Sequence, residues 1–81
     1  MRWIAAGLGS EISFPEVMKF LRESNGMSAR GLSTQAGVSP SYVSKMERGE
    51  LVPTLDTFAK LVKVLKCNDA EIAFLVMIFR P

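Results

Sequence analysis

The segment that decides the fold is residues 28–49, SARGLSTQAGVSPSYVSKMERG. Ser28 is a typical helix-capping residue, and the helix that it begins should stop at Gly37. Ser39, which is followed by a proline suited to the first helical position, should cap a second helix that ends at Gly49. Because only about three residues separate the two helices, they must cross at a steep angle.

Caps and apolar spacing predict one helix before this segment and two after it. Ser13 with a glutamate three residues later is a capping box, and the helix that follows should end near Asn25. Thr54 should cap a fourth helix, and Asn68 should open a fifth that runs to about residue 79. The buried stripes expected at helical spacing are Phe14, Val17, Met18 and Leu21, and then Leu55, Phe58, Ala59, Val62 and Leu65. No stretch shows the alternation of apolar and polar residues that is typical of a half-buried strand. The predicted fold class is therefore all-α, with five short helices.

The length and composition indicate one small globular domain. The chain has 81 residues, of which 48% are hydrophobic and 22% are charged, so there is no room for a second core. We assign residues 13–81 to the domain and residues 1–12 to an N-terminal arm. Trp3 of this arm could pack on the body of the protein or on a partner.

The composition also excludes several kinds of function. The chain has no histidine and a single cysteine, Cys67, which removes histidine-based catalysis, most zinc sites and an internal disulfide. The longest apolar run, residues 72–79, is far shorter than the roughly 20 residues that span a bilayer. We therefore expect a cytoplasmic protein that is not an enzyme, binds no cofactor or metal, and does not enter a membrane.

A further set of residues between positions 22 and 53 fits one known pattern: Arg22, Gly26, Met27, Ser28, Leu32, the run from Ala36 to Ser39, the run from Tyr42 to Gly49, and Pro53. In these residues the stretch 22–53 resembles the phage-repressor-like (Cro/Xre-type) helix-turn-helix family, whose small stand-alone members include restriction–modification controller proteins and prophage repressors. The resemblance implies a five-helix bundle whose second and third helices form the DNA-binding motif.

The spacing in the third helix is that of a recognition helix. Val43 and Met46 can face the core, so the side chains at the other positions point away from it. Ser41, Lys45 and Arg48 then form one row at i, i+4 and i+7, where a helix in the major groove would present them to DNA. The same face includes Ser44. The helix starts expected at Ser28 and Ser39 also suit phosphate oxygens, because the free N–H groups of a helix N-terminus point toward an anion.

The family resemblance implies a fuller set of contacts. It places base contacts at Pro40, Ser41, Tyr42, Ser44 and Lys45, and phosphate contacts at Ser28, Arg30, Thr34 and Arg48. It also implies a structural salt bridge between Arg22 and Glu47. Two positions depart from the family pattern: Ala29 stands where glutamine is frequent, and Pro40 where a polar residue is common. The loop of residues 50–52 is poor in positive charge, so we expect modest phosphate affinity per subunit.

The fifth helix predicts self-association. Ile72, Leu75, Val76 and Phe79 form one apolar stripe, and the opposite side of the helix is apolar as well. One protomer can cover only one of these faces, and an exposed apolar patch is typical of an interface. We therefore predict that two protomers associate through this stripe as a homodimer, which places the two recognition helices about 34 Å apart. The alternative is a monomer in which the N-terminal arm covers the patch.

These observations predict a sequence-specific transcriptional regulator, a repressor, that binds a pseudo-palindromic operator in double-stranded DNA as a homodimer. Activation would require a contact with RNA polymerase. One alternative is the antitoxin of a toxin–antitoxin pair, whose apolar tail would bind a toxin. The other is a protein-interaction module that keeps the scaffold without binding DNA.

Overall fold

The computed structural model describes residues 13–79, which form five helices and no strand. In chain order they are α1 (Phe14–Ser24), α2 (Ala29–Gln35), α3 (Tyr42–Glu47), α4 (Leu55–Val64) and α5 (Asp69–Ile78). The prediction of an all-α bundle is confirmed. The predicted arm and Trp3 lie outside the described residues. Within residues 13–79, none of the helices has the length and hydropathy needed to cross a bilayer.

Four of the five helices begin at the predicted cap. Ser13 and Asn68 each form a complete capping box with the glutamate three residues later, and the Ser28 and Thr54 hydroxyls each accept a first-turn N–H. Such bonds satisfy N–H groups that have no partner within the helix. These four helix starts follow from local sequence chemistry.

Helix α3 begins two residues later than predicted, so the assignment of Ser39 as its cap is wrong. The N-cap is Ser41, whose backbone is not helical and whose side chain makes no capping bond. The N–H of Tyr42 donates to the Ser39 carbonyl oxygen over 3.0 Å. This bond closes a turn through Pro40 ahead of the helix, so Ser39 does not present a helix N-terminus to an anion.

The tight connection between α2 and α3 depends on Gly37. Its φ of +76° lies in the left-handed region, which glycine enters without the steric cost that a Cβ imposes. Its N–H and that of Val38 donate back to the carbonyls of Thr34 and Ser33 over 3.1 and 3.0 Å. The last turn of α2 is thereby closed and the chain redirected into α3.

The core is formed mainly by the predicted stripes. All four predicted residues of α1 are buried, and Val43 and Met46 of α3 are fully buried. Helix α4 differs, because Leu55 is 72% exposed and Ala59 is exposed, whereas Leu61 is completely buried. The inner face of α4 therefore follows positions 58, 61, 62 and 65. Leu55 precedes the first buried turn, and Ala59 is rotated away from this face.

Helix α5 lies with one face against the rest of the protomer. Leu75 is fully buried, and the ring of Phe79 contacts those of Phe14 and Phe58 at centroid distances of 4.9 and 5.4 Å. The assignment of Leu75 to a dimer interface is therefore wrong, since its side chain is used by its own core. Phe79 is also engaged within the protomer, and partly buried Ile72 packs against the core. The exposed face of α5 instead carries Ala73, Val76 and Met77.

Candidate nucleic-acid interface

Helix α3 has one buried face and one exposed face, as its spacing predicted. Val43 and Met46 are fully buried between the other helices. Ser41, Lys45 and Arg48 are exposed and follow one another at i, i+4 and i+7, which aligns them along the outer surface of the helix. We call these three side chains the α3 row.

The other predicted contact residues lie on the same two-helix unit, because α2 packs directly against α3. Tyr42 and Ser44, at the edges of α3, are half-buried. The remaining predicted residues are exposed on α2, at its start, or in the turn before α3: Ser28, Arg30, Thr34, Ser39 and Pro40. The structure thus brings together, on one unit, the residues for which DNA contacts were predicted.

An acidic residue, Glu50, lies within this surface and pairs with Arg48. This ion pair was not predicted from the sequence. The Arg48 guanidinium donates to both carboxylate oxygens of Glu50, over 2.6 and 3.3 Å. This hydrogen bond holds the pKa of the Glu50 carboxyl below its usual value, and the positive charges of Arg48 and Lys45 act in the same direction. Glu50 therefore remains a carboxylate and offsets positive charge at one end of the α3 row. In the sequence, this ion pair is indicated only by the spacing of Glu50, which follows Arg48 by two residues with a glycine between them.

The C-terminal end of α3 is held by the ion pair expected from the family resemblance. Nε and Nη2 of Arg22 donate to the two carboxylate oxygens of Glu47 over 2.7 and 3.0 Å, and Nη1 donates to the Met27 carbonyl over 2.8 Å. The two charged side chains are only 11% and 9% exposed. The bond to Glu47 raises the pKa of Arg22 above its ordinary value. One guanidinium thus joins α1, the loop before α2, and α3.

The N-terminal end of α3 is held by a residue that sequence reasoning missed. The Ser33 hydroxyl accepts the N–H of Val43 over 3.0 Å and donates to the Ala29 carbonyl over 2.9 Å. Ser33 is completely buried. In the sequence, the burial of Ser33 is indicated only by its position beside Leu32 in a short helix that has few other apolar residues.

Cys67 offers no reactive thiolate. Burial, together with the negative charge of Glu71, raises the pKa of its thiol to about 11. The side chain therefore stays protonated at neutral pH, which makes it a poor nucleophile.

Comparison with known proteins places this architecture in a family. The helix-turn-helix family model HTH_3, of the Cro/C1 type, matches residues 18–72, which include α2, α3, α4 and the ion pair between Arg22 and Glu47. No curated protein and no solved structure matches the chain. Since the family model covers well over half of the 81 residues, the chain belongs to the Cro/C1-type helix-turn-helix family and is a DNA-binding regulator of that type.

Proposed function

We propose that the protein is a repressor that binds a specific, pseudo-palindromic site in duplex DNA by inserting α3 into the major groove. The observation that carries this proposal is the α3 row, which is exposed while the opposite face of the same helix is fully buried. Short hydroxyl side chains let a helix backbone approach the base edges closely. A lysine can then reach an acceptor on guanine, or a phosphate. Binding of this kind excludes other proteins from the same stretch of DNA.

The experiment that tests this function is selection of bound sequences from a random pool of duplex DNA. We expect enrichment of a two-fold-related motif whose half-sites lie about one helical turn apart. Recovery of unchanged, random sequences would contradict specific binding. It would favour the interaction-module alternative, for which the engagement of Arg48 by Glu50 is the supporting observation.

Lys45 should contribute to base discrimination. We expect Lys45→Ala to weaken binding to the selected site and to reduce discrimination at one base pair by about 1–3 kcal/mol. The measurement is a set of dissociation constants for the selected site and its single-base variants. Lys63→Ala is the matched control, because this exposed lysine lies on α4, outside the α2–α3 unit. An unchanged discrimination profile in Lys45→Ala would show that Lys45 does not read a base.

We also propose that two protomers associate through the exposed face of α5. Val76 is 57% exposed and Met77 is 75% exposed on a helix whose other face is in the core. With Ala73 they form an apolar patch of the kind that protein interfaces cover. A two-fold dimer would place one α3 in each half-site and double the number of phosphate contacts, which suits a chain whose net charge is only +2.

Met77→Asp tests this interface. A carboxylate placed in an apolar contact must be desolvated, so we expect the variant to sediment as a monomer and to lose most of its affinity for the two-fold site. Ser24→Asp adds the same charge at an exposed position at the end of α1 and should leave the oligomeric state unchanged. An intact Met77→Asp dimer would refute this interface. Co-purification with a second kind of chain would instead support the antitoxin alternative.

Glu50 should limit DNA affinity, because a phosphate must compete with its carboxylate for Arg48. The Arg48–Glu50 pair is exposed to solvent and therefore weak, so Glu50→Gln should strengthen binding by only about two- to fivefold. It should also steepen the dependence of log K on log salt by about one unit per cation freed. Glu23→Gln is the control, because this exposed carboxylate on α1 lies near Arg22, whereas Arg48 pairs with Glu50. Unchanged affinity and salt slope in Glu50→Gln would place Arg48 outside the DNA contact.

A further inference from the structure

The first turn of α3 has no cap of its own. The helix has six residues, and its N-cap Ser41 makes no side-chain capping bond. So short a helix is not stable by itself, because a helix of fewer than about 12 residues does not recover the cost of nucleation. Its first N–H groups also need acceptors outside the helix. The position of α3 therefore depends on contacts with its neighbours.

Ser33 of α2 supplies the missing acceptor. Its Oγ accepts the N–H of Val43, the second residue of α3, over 3.0 Å. An N-cap side chain ordinarily bonds the N–H at this position or the next. The Ser33 hydroxyl hydrogen is directed to the Ala29 carbonyl over 2.9 Å, which leaves the oxygen lone pairs free to accept. With Ser33 fully buried, water does not compete for this bond.

We propose that Ser33 is a positioning residue, a cap supplied by α2 that fixes the rotation and the starting point of α3. Val43 and Met46 hold α3 against the core, but apolar contacts have little directional preference. A hydrogen bond constrains both distance and angle. The bond to Ser33 therefore determines where Ser41 and Lys45 point, and its consequence for base discrimination rests on the proposed function.

Amide hydrogen exchange tests the cap without DNA. In Ser33→Ala the Val43 N–H loses its acceptor, and we expect it to exchange about tenfold faster after correction for the change in global stability. Val62→Ala, a core truncation in α4, is the control matched for lost stability. It should leave the corrected exchange rate of Val43 unchanged. The proposal is overturned if the exchange rate of the Val43 N–H changes in both variants only by the amount that the change in global stability explains.

A second variant covers the case in which Ser33→Ala does not fold. Ser33→Cys nearly preserves the side-chain volume, and a sulfur is a weaker acceptor than a hydroxyl oxygen. The corrected exchange rate of Val43 should then exceed that of the wild type. A rate equal to that of the wild type would show that the hydroxyl does not hold α3.

DNA binding provides the second measurement. We expect Ser33→Ala to lower the ratio of specific to non-specific affinity about tenfold, whereas Val62→Ala retains the wild-type ratio. If Val43 exchanges faster while the ratio is unchanged, the positioning role is refuted although the bond exists. If the wild type selects no DNA sequence, the proposed function fails, and the exchange experiment still decides whether Ser33 caps α3.

Discussion

Glu47→Ala is expected to lower the free energy of unfolding by about 3–5 kcal/mol, because it leaves the Arg22 charge nearly buried without its partner. The Arg22 side chain is only 11% exposed and donates two of its hydrogen bonds to Glu47. Its remaining bond goes to the Met27 carbonyl, which does not neutralise a positive charge. Chemical denaturation followed by circular dichroism measures the difference.

Glu23→Ala is the matched control, since its carboxylate lies 4.0 Å from the same guanidinium but is 59% exposed. Exposed ion pairs contribute about 0–1 kcal/mol, so we expect stability close to that of the wild type. If the two variants lose equal free energy of unfolding, the burial of the ion pair between Arg22 and Glu47 does not increase its contribution to stability.

The second large effect is expected at Leu75. This side chain, on the inner face of α5, is completely buried. Leu75→Ala should therefore lower the free energy of unfolding by about 2–5 kcal/mol, through lost transfer free energy and the cavity that it leaves. The loss should appear in the unfolding of the isolated protomer, for example in the Met77→Asp background. That measurement separates the stability of the core from that of the dimer.

Val76→Ala is the control for Leu75→Ala, because Val76 is on the same helix but 57% exposed. Its removal should change the stability of the protomer by less than about 0.5 kcal/mol. A large loss at Val76 with a small one at Leu75, measured in the same background, would mean that α5 packs with the opposite face inward.

The two polar contacts at the ends of α3 give the helix a defined orientation. Ser33 bonds Val43 near its start, and Arg22 bonds Glu47 at its last residue. Between them, Met46 and the side chain of Val43 are in the core. The orientation of the face that we propose to contact DNA is thus set by buried residues that DNA would not touch. Substitutions at these supporting positions are expected to alter recognition without removing a DNA contact.

Much of the fold could be predicted from local patterns. The capping boxes at Ser13 and Asn68 and the caps at Ser28 and Thr54 were correct, because each depends on a residue and its neighbours three positions away. The division of α3 into a buried and an exposed face was also correct, since helical periodicity determines it.

Three features were not predictable in this way. The start of α3 was misplaced because the acceptor for the Val43 N–H in its first turn is the hydroxyl of Ser33, ten residues before Val43 in the chain. The inward face of α5 was uncertain because both of its faces are apolar. Only the tertiary structure buries Leu75 in the core and places the ring of Phe79 against those of Phe14 and Phe58. The engagement of Arg48 by Glu50 depends on the path of the chain after α3.

Residue identity and short-range spacing were sufficient for four of the five helix starts, for the family resemblance and for the exposed row on α3, since capping and periodicity act within a turn or two of helix. The tertiary structure decided which apolar face of α5 is buried, which hydroxyl caps α3, and which cation is already paired. These outcomes depend on contacts between residues distant in the chain, where directional bonds and the competition for a single core select one arrangement among several that the same pattern allows.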